Sequence, residues 1–364
     1  MADGSVWSLF IDKYTKILAF IRLEKDISLI DAVLQTLTAQ PALLLLEKWK
    51  ALTGSQLRRK FGYSKWADLE SDFFMYLEPH WHEIRRYHGI MHKTERKQRG
   101  GHKPLLSPLE EWCMTLLRIR AGMEESELAE YFGLSTGHVS YLLRQIFPLA
   151  RQYWVPHYLR FLEPELIKAH TPLETRKLIA AAFPSCLGYA LLFGDNTEMI
   201  IGHSNDLVLQ WKTWSKKLEH FNTLKQFFFC LGDGMIVLAP PVYGGRTDEW
   251  EPMESDVVYN SLNTTFPFLL IMDRGFDGLT YLPANVEMVI PPFLHRYHEN
   301  RTQFEEGEIE WLHLIAHMRF IVERANHSFK QNKIVHHISN QMLDTADDIV
   351  AIGVALSNLP FYCK

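Results

Sequence analysis

The sequence predicts a C-terminal α/β domain, built as a mixed sheet flanked by helices, behind an all-helical N-terminal region. From about residue 184 onward, short apolar runs bounded by Gly, Asp and Pro indicate strands, and helical segments lie between and after them. Before that point, apolar residues recur at spacings of three and four, which is typical of amphipathic helices. This change of pattern divides the chain into two classes of structure.

Length and composition limit the class of protein. The chain has 364 residues, which favours two or three domains, and its 47% apolar and 22% charged residues are typical of a folded soluble protein. Its apolar runs are too short to span a membrane, and its first residues lack the charged-then-apolar pattern of a secretory signal. The four cysteines include no Cys-x-x-Cys pair, which predicts reduced intracellular thiols and argues against a zinc ribbon.

Residues 1–90 show helical periodicity without residues that suggest chemistry, so we expect them to serve packing or oligomerisation. A basic segment follows, because residues 82–103 hold seven Lys or Arg against two Glu in a chain of net charge −5. We interpret residues 91–105 as a linker, which could be a solvated connection, a nuclear-targeting stretch or a phosphate-binding segment. In the last case its DNA contacts would be Lys93, Arg96, Lys97 and Arg99.

Residues 106–150 predict three helices. Ser107 and Glu110 form a capping box with a proline at the first helical position, and Gly122 ends this first helix. A short second helix, "SELAEYF", stops at Gly133, and a third helix, "TGHVSYLLRQIF", follows after a brief turn.

The glycine-containing turn between the second and third helices predicts a helix-turn-helix that binds DNA. In that geometry the N-terminal residues of the last helix face base edges in the major groove. An ordinary three-helix bundle would show the same helices, so both interpretations stay open. We treat residues 151–183 as a connector and residues 184–364 as the α/β domain. The candidate base-contacting residues are Thr136, His138, Ser140, Tyr141 and Arg144.

Two aspartates follow predicted strands: Asp195 ends "YALLFGD", and Asp273 ends "FPFLLIMD" with Gly275 behind it to let the chain turn away. A third carboxylate, Glu323, lies on the polar stripe of a long helical segment. If the strands are neighbours and the helix packs across them, three like charges meet and raise one another's pKa. Divalent Mg²⁺ or Mn²⁺ relieves that repulsion with hard oxygen ligands, and two such ions can hold both reacting oxygens of a phosphodiester. The polar stripe consists of Arg319, Glu323, Asn326, His327 and Lys330.

Six segments in order along the chain resemble the DDE transposases of the Harbinger and related insertion-sequence group. They are "GDNTEMII", "WSKKLEHFNTLK", "YGGRTDE", "LLIMDRGF", "VIPPF" and "VERANHSFK". The resemblance covers roughly residues 104–364 and implies an RNase H-like fold behind a helix-turn-helix. It also implies that Asp195, Asp273 and Glu323 are the catalytic residues and the ligands of two Mg²⁺ or Mn²⁺ ions.

The same resemblance implies a DNA substrate, made of transposon ends and a target. Because two ends must be joined, we expect a homodimer or a larger assembly, and a Myb-like accessory DNA-binding protein is an implied partner. A eukaryotic member would act in the nucleus, and any other in the cytoplasm or nucleoid. Basic residues that match the family, or flank the matching glutamate, could contact DNA, although the last two could equally be solvated; they are Lys216, Lys225, Arg246, Arg324 and Lys330.

Other polar residues compete for the same roles. Asp233 precedes a glycine between two apolar runs, which predicts a hairpin turn. Glu198 follows Asp195 by three residues and is expected on the other face of the sheet, in a supporting role at most. His313 and His317 have metal-ligand spacing, but no third ligand accompanies them, so we expect no zinc site there.

The sequence therefore predicts a metal-dependent DNA transposase or a nuclease derived from one. Two alternatives remain open. One is a host-recruited DNA-binding protein without catalytic activity, in which the α/β domain is only a scaffold. The other is an RNase H-like nuclease unrelated to mobile elements. The presence of all three acids favours an enzyme, because a recruited scaffold would be free to lose them.

Overall fold

The structure, a computed structural model, describes residues 45–85, 105–279, 281–292 and 303–362. The expectations for the first 44 residues and for most of the basic linker fall outside the described residues. So do the candidate contacts Lys93, Arg96, Lys97 and Arg99.

The N-terminal half is helical over its described residues, as predicted. Its longer helices are α1 (Gly54–Phe61), α2 (Trp66–Asp72), α3 (Pro108–Leu116), α4 (Glu125–Phe132) and α5 (Thr136–Tyr153). A π-helical turn and a 3-10 helix continue α2, and another π-helical turn continues α3.

Local sequence sets the ends of these helices. Ser107 accepts a hydrogen bond from the Glu110 backbone, and the Glu110 side chain accepts one from the Ser107 N–H, which is the predicted capping box. Gly122 and Gly133 adopt positive φ angles of 70° and 67°, where glycine avoids the Cβ clash, and each ends a helix. The three helices are confirmed, whereas their use as a DNA-binding helix-turn-helix stays a prediction.

The predicted connector is itself mainly helical. It contains α6 (Val155–Tyr158), α7 (Pro164–Ala169) and α8 (Leu173–Ala182). Pro164 at the first position of α7 begins that helix without losing an intrahelical hydrogen bond.

Among the described residues, a mixed sheet of seven strands lies at the centre of the C-terminal half. The strands are β1 (Ala190–Ile201), β2 (Asn222–Cys230), β3 (Ile236–Leu238), β4 (Tyr243–Gly244), β5 (Phe268–Ile271), β6 (Val286–Val289) and β7 (His337–Ile338). The main order is β3-β2-β1-β5-β6, with β4 paired to β2 and β7 paired to β1. The strands β1, β2 and β3 are antiparallel, whereas β1, β5 and β6 run parallel.

One strand prediction is wrong. The predicted strand "YALLFGD" does not end at Asp195, because it continues through the next apolar run, "TEMII", as the twelve-residue β1. The reason is that β2 offers nine consecutive partners, which pair with β1 from Phe193 through Ile201. This long ladder satisfies the backbone across Asn196 and Thr197, so the chain does not turn there. Asp195 consequently lies in the middle of β1 and not at its end.

Helices cover both faces of the sheet. They are α9 (Leu207–Thr213), α10 (Asp256–Leu262), α11 (Glu306–Lys330) and α12 (Ala346–Tyr362). Side chains alternate along β1, so Leu191 and Phe193 join a core with α11, α12 and the N-terminal helices, whereas Leu192 joins a second core with α7 and α10.

The first core is continuous between the two halves of the chain. It includes Trp49, Trp112 and Trp154 from the helical half together with Phe228 and Phe329 from the α/β half. The helical half therefore packs directly against α11 and α12. Within the described residues, no helix is long and apolar enough to cross a membrane.

Candidate active site

Asp195 and Asp273 lie at the same level of two neighbouring parallel strands. The register pairs Ala190 with Phe268 and continues to Phe193 with Ile271. When this register is extended by two residues beyond its last pair, Asp195 lies opposite Asp273. Asp273 lies two residues after the end of β5 and caps a 3-10 helix, where its Oδ1 accepts a hydrogen bond of 2.7 Å from the Arg274 backbone.

Helix α11 crosses these two carboxylates and contacts both. Arg319 Nη2 lies 3.1 Å from Asp273 Oδ2, and Asn326 Nδ2 donates a 3.0 Å hydrogen bond to Asp195 Oδ2. Glu323 lies between them in sequence, four residues after Arg319 and three before Asn326, so all three share one helix face. The Glu323 side chain is exposed. The polar stripe predicted on this helix therefore faces the aspartate pair.

The environment of Asp195 favours its protonated form. Burial raises the pKa of this carboxyl to about 6, and the neighbouring Asp273 adds to the rise. Arg319, the Asn196 backbone N–H and Lys217 oppose it and hold the pKa below what burial alone would give. An acid pair with one elevated pKa is typical of a site that receives a cation.

The oxygen donors around Asp195, two carboxylates and one amide, are of the type that a hard divalent cation takes. Carboxylate oxygens are the donors that Mg²⁺ and Mn²⁺ prefer. The Oδ1 atom of Asn326 is buried and has no hydrogen-bond donor, although the Nδ2 of the same amide is bonded to Asp195. A hydrated cation at the aspartates could supply that donor through a bound water.

The carboxylates do not, however, form a closed ligand cluster. Across the described ranges, no three His, Cys, Asp or Glu side chains are arranged to hold a metal ion. At Asp273 the cationic partner is Arg319. The predicted metal role of Asp195, Asp273 and Glu323 therefore stays a prediction.

A fourth carboxylate, missed in the sequence analysis, packs beside the pair. A Cβ atom on Gly275 would lie 1.6 Å from Glu249 Oε2, and the Asn196 Nδ2 donates a 2.7 Å hydrogen bond to the Glu249 carbonyl. Gly275 was expected to serve a turn, but its φ is not among the positive ones. The Glu249 side chain occupies the space that a Cβ at position 275 would take, so a larger residue there would require Glu249 to move. No sequence spacing relates Glu249 to either aspartate.

Three predicted DNA contacts lie around β2 and β4, in different surroundings. Lys216 forms an ion pair with Asp248 at the surface. Lys225 is buried, and its Nζ donates a 2.6 Å hydrogen bond to the Thr247 carbonyl, which favours a structural role. Arg246 lies 4.2 Å above the exposed ring of Trp211, where its cation is presented at the surface.

The remaining predicted contacts lie on α5 and α11. Thr136 at the start of α5 is exposed, while His138, Ser140 and Tyr141 are half-buried. Arg144 is engaged within the protein, because it forms an ion pair with Asp344 and donates to the Gln341 carbonyl. On α11, Arg324 is exposed beside Phe320, and Lys330 lines a basic cavity at the helix end.

Asp233 and Glu198, the two other acids considered for the site, form hydrogen bonds that hold the fold together. Asp233 Oδ1 accepts a hydrogen bond from the Met235 backbone, next to Gly234 with a φ of 97°, which confirms the predicted turn. Glu198 Oε2 accepts hydrogen bonds from Ser215 and Thr223, at 2.6 Å and 3.0 Å, so it fastens the loop after α9 to the sheet.

Arg319 and Asn326 complete the candidate site, and the sequence analysis did not assign them to it. Both were visible on the polar stripe of the helix, at offsets of four and three from Glu323. Only the packing of α11 across β1 and β5 shows that they contact the aspartates.

Comparison with known proteins gives a family match over the α/β half of the chain. No curated protein and no solved structure matches the chain. Residues 195–358 match the sequence model of the DDE superfamily endonuclease family. The match begins at Asp195 and includes Asp273, Glu323 and their neighbours on α11. The part of this chain that holds the acid pair and α11 is therefore similar to the DDE superfamily endonuclease family.

Proposed function

We propose that this protein is a metal-dependent DNA endonuclease of the transposase type, with Asp195, Asp273 and Glu323 as its catalytic carboxylates. The observation that carries the proposal is the placement of Asp195 and Asp273 at one level of adjacent strands, beneath the helix face that holds Glu323. The family of residues 195–358 supports the same chemistry.

The proposed fold of the α/β domain is RNase H-like. Three antiparallel strands, β1 to β3, are followed by two strands parallel to β1, in the order β3-β2-β1-β5-β6. In this topology Asp195 on the central strand β1 and Asp273, which follows the parallel strand β5, lie side by side. A helix-turn-helix formed by α4 and α5, with Thr136 exposed at its tip, would add DNA binding.

In this proposal the three carboxylates hold two Mg²⁺ or Mn²⁺ ions. When bound, such ions polarise a phosphodiester and make water a stronger nucleophile. Asn326 orients the Asp195 carboxylate through its 3.0 Å hydrogen bond, and the Arg274 backbone orients Asp273. Asp195 lies on β1 and Asp273 lies two residues after β5, which fixes them more firmly than a long loop would.

The experiment is cleavage of supercoiled plasmid and of candidate transposon-end duplexes with Mg²⁺ or Mn²⁺. We expect wild type to cut, and Asp273→Ala to lose at least about 100-fold in rate while still binding DNA, because several kcal/mol of charge stabilisation depend on the ions. Asp233→Asn is the matched control, since Asp233 lies in a turn. Cleavage by Asp273→Ala at the wild-type rate would refute the proposal.

One observation favours the second candidate, a DNA-binding protein without catalytic activity. Arg319 neutralises Asp273, and an ion pair of this kind can stabilise a scaffold without any metal. The same experiment separates the two. A wild-type protein that binds the duplex but shows no cleavage in either metal would favour the scaffold.

A further inference from the structure

A basic cavity of about 680 Å³ lies between the helical half and the end of α11. Of the described residues that line it, five are Lys or Arg, one is His and none is Asp or Glu. The cations come from three separate parts of the chain: Arg59 and Lys60 on α1, Arg120 after α3, and Lys330 and Lys333 at the end of α11. Like charges that converge in this way repel one another unless an anion joins them.

Arg120 lies in the wall of this cavity and is 7% exposed. In the described part of the chain its guanidinium donates to three neutral acceptors, namely the Arg58 carbonyl at 3.0 Å, Asn332 Oδ1 at 3.1 Å and Gln331 Oε1 at 2.8 Å. Buried arginines are normally paired with a carboxylate, yet no described Asp or Glu forms a salt bridge with this one. Its positive charge therefore has no carboxylate partner among the described residues.

The burial of Arg120 without a carboxylate partner affects the pKa of its guanidinium. Burial, together with the nearby Arg58, lowers the pKa of this guanidinium to about 10. The group still carries its charge near neutral pH, because that pKa lies well above 7. An anion bound in the cavity would offset part of the electrostatic cost of burying this charge.

The cavity is held in shape before any ligand arrives. The three hydrogen bonds of Arg120 connect α1, the turn after α3 and the residues after α11. Gly122, at a φ of 70°, allows the close approach of Lys333, because a Cβ there would lie 2.7 Å from Lys333 Cβ. Preorganisation of this kind lowers the entropic cost of binding.

We propose that this cavity is a binding site for phosphate groups, formed by Arg59, Lys60, Arg120, Lys330 and Lys333. Arginine and lysine donate charge-assisted hydrogen bonds to phosphate oxygens, and several cations around one cavity suit a ligand with several negative charges. The site is separate from the aspartate pair and does not depend on the proposed cleavage activity.

The phosphates can come from DNA or from a free polyphosphate. Lys330 lies seven residues after Glu323 on the same face of α11, or about 10 Å along the helix axis. A DNA backbone that leaves the acidic site along this face would reach the cavity within about three base pairs. A small polyphosphate would instead occupy the cavity alone.

The test is equilibrium binding in EDTA, so that no metal-dependent cleavage can occur. One probe is a fluorescent 30-base-pair DNA duplex followed by anisotropy at several salt concentrations, and the other is tripolyphosphate followed by calorimetry. The test variant is Arg59→Gln with Lys333→Gln, two exposed residues of the cavity wall. The matched control is Lys48→Gln with Lys177→Gln, two exposed lysines outside it. Circular dichroism and the Tm confirm that each variant is folded.

Either of two results supports the site. If the ligand is a free polyphosphate, the test variant loses tripolyphosphate binding at least about tenfold and the control does not. If the source is DNA, the test variant weakens duplex binding and its salt slope falls by about 2, one for each cation removed. The proposal is overturned if both variants bind both probes alike, or if wild type binds neither.

Discussion

Arg319 Nη2 lies 3.1 Å from Asp273 Oδ2, so an internal cation is already present at one of the two carboxylates of the candidate active site. Asn326, seven residues further along the same helix face, holds the other carboxylate at Asp195. Helix α11 thus keeps both acids in place from one side, and Glu323 lies between the two contacts. A divalent ion that reaches Asp273 must compete with the guanidinium for the same oxygen.

This competition predicts that loss of Arg319 strengthens metal binding. At pH 8, Arg319→Gln should bind Mn²⁺ up to about fivefold more tightly than wild type, because a partly exposed ion pair contributes ~1 kcal/mol or less. Calorimetric titration with Mn²⁺ measures the effect. Arg324→Gln removes the same charge from the same helix, at an exposed position, and serves as control. Equal or weaker Mn²⁺ binding by Arg319→Gln would contradict the role of Arg319 as a competing cation.

The raised pKa of Asp195 predicts a pH-dependent loss of stability. The carboxyl has a pKa of about 6 in the folded protein and an ordinary pKa of 3.8 in the unfolded chain, so between these values the folded state binds more protons than the unfolded state. The free energy of unfolding therefore falls as pH rises through this window, and it levels off above pH 6.

Asp195→Asn should remove this effect. In EDTA, the variant should be more stable than wild type by about 1–3 kcal/mol at pH 8, and the difference should shrink towards pH 4. Urea denaturation at a series of pH values gives the comparison. Glu310→Gln, an exposed change on α11, should show a difference from wild type that is small at every pH. A constant offset for Asp195→Asn would mean that Asp195 ionises in the fold as it does in water.

The contact between Gly275 and Glu249 predicts a coupled pair of substitutions. Gly275→Ala should destabilise the protein by about 1 kcal/mol, because its new Cβ would lie 1.6 Å from Glu249 Oε2 and the Glu249 side chain would have to move. The double variant with Glu249→Ala should recover most of that loss, since the clashing carboxylate is gone. A double-mutant cycle of urea denaturation measures the coupling. Additive effects of the two changes would show that Glu249 does not approach the glycine as described.

Much of the local structure could be predicted because it depends on neighbouring residues. The capping box at Ser107 and the helix stops at Gly122 and Gly133 need only a few adjacent residues. The position of Asp273 two residues after a buried strand also follows from an apolar run that ends in a charge.

Other features depend on partners that are distant in sequence. The continuity of β1 through Asn196 follows from pairing with β2, which the sequence of β1 does not reveal. The burial of Lys225 and the engagement of Arg144 by Asp344 likewise require the packed fold. The contacts of Arg319 and Asn326 with the aspartates required the helix to be placed against the sheet, although the polar stripe was visible beforehand.

The rate of Mn²⁺-dependent DNA cleavage by Glu323→Gln tests the central claim most directly, because Glu323 shares a helix face with the contacts to both aspartates but is itself exposed. If the three carboxylates act as one site, this variant should lose at least about 100-fold in single-turnover rate, with duplex binding retained. Glu310→Gln, an exposed carboxylate of the same helix, should cleave as wild type does. Wild-type cleavage by Glu323→Gln, under conditions in which Asp273→Ala is inactive, would contradict the assignment of Glu323 to the catalytic site.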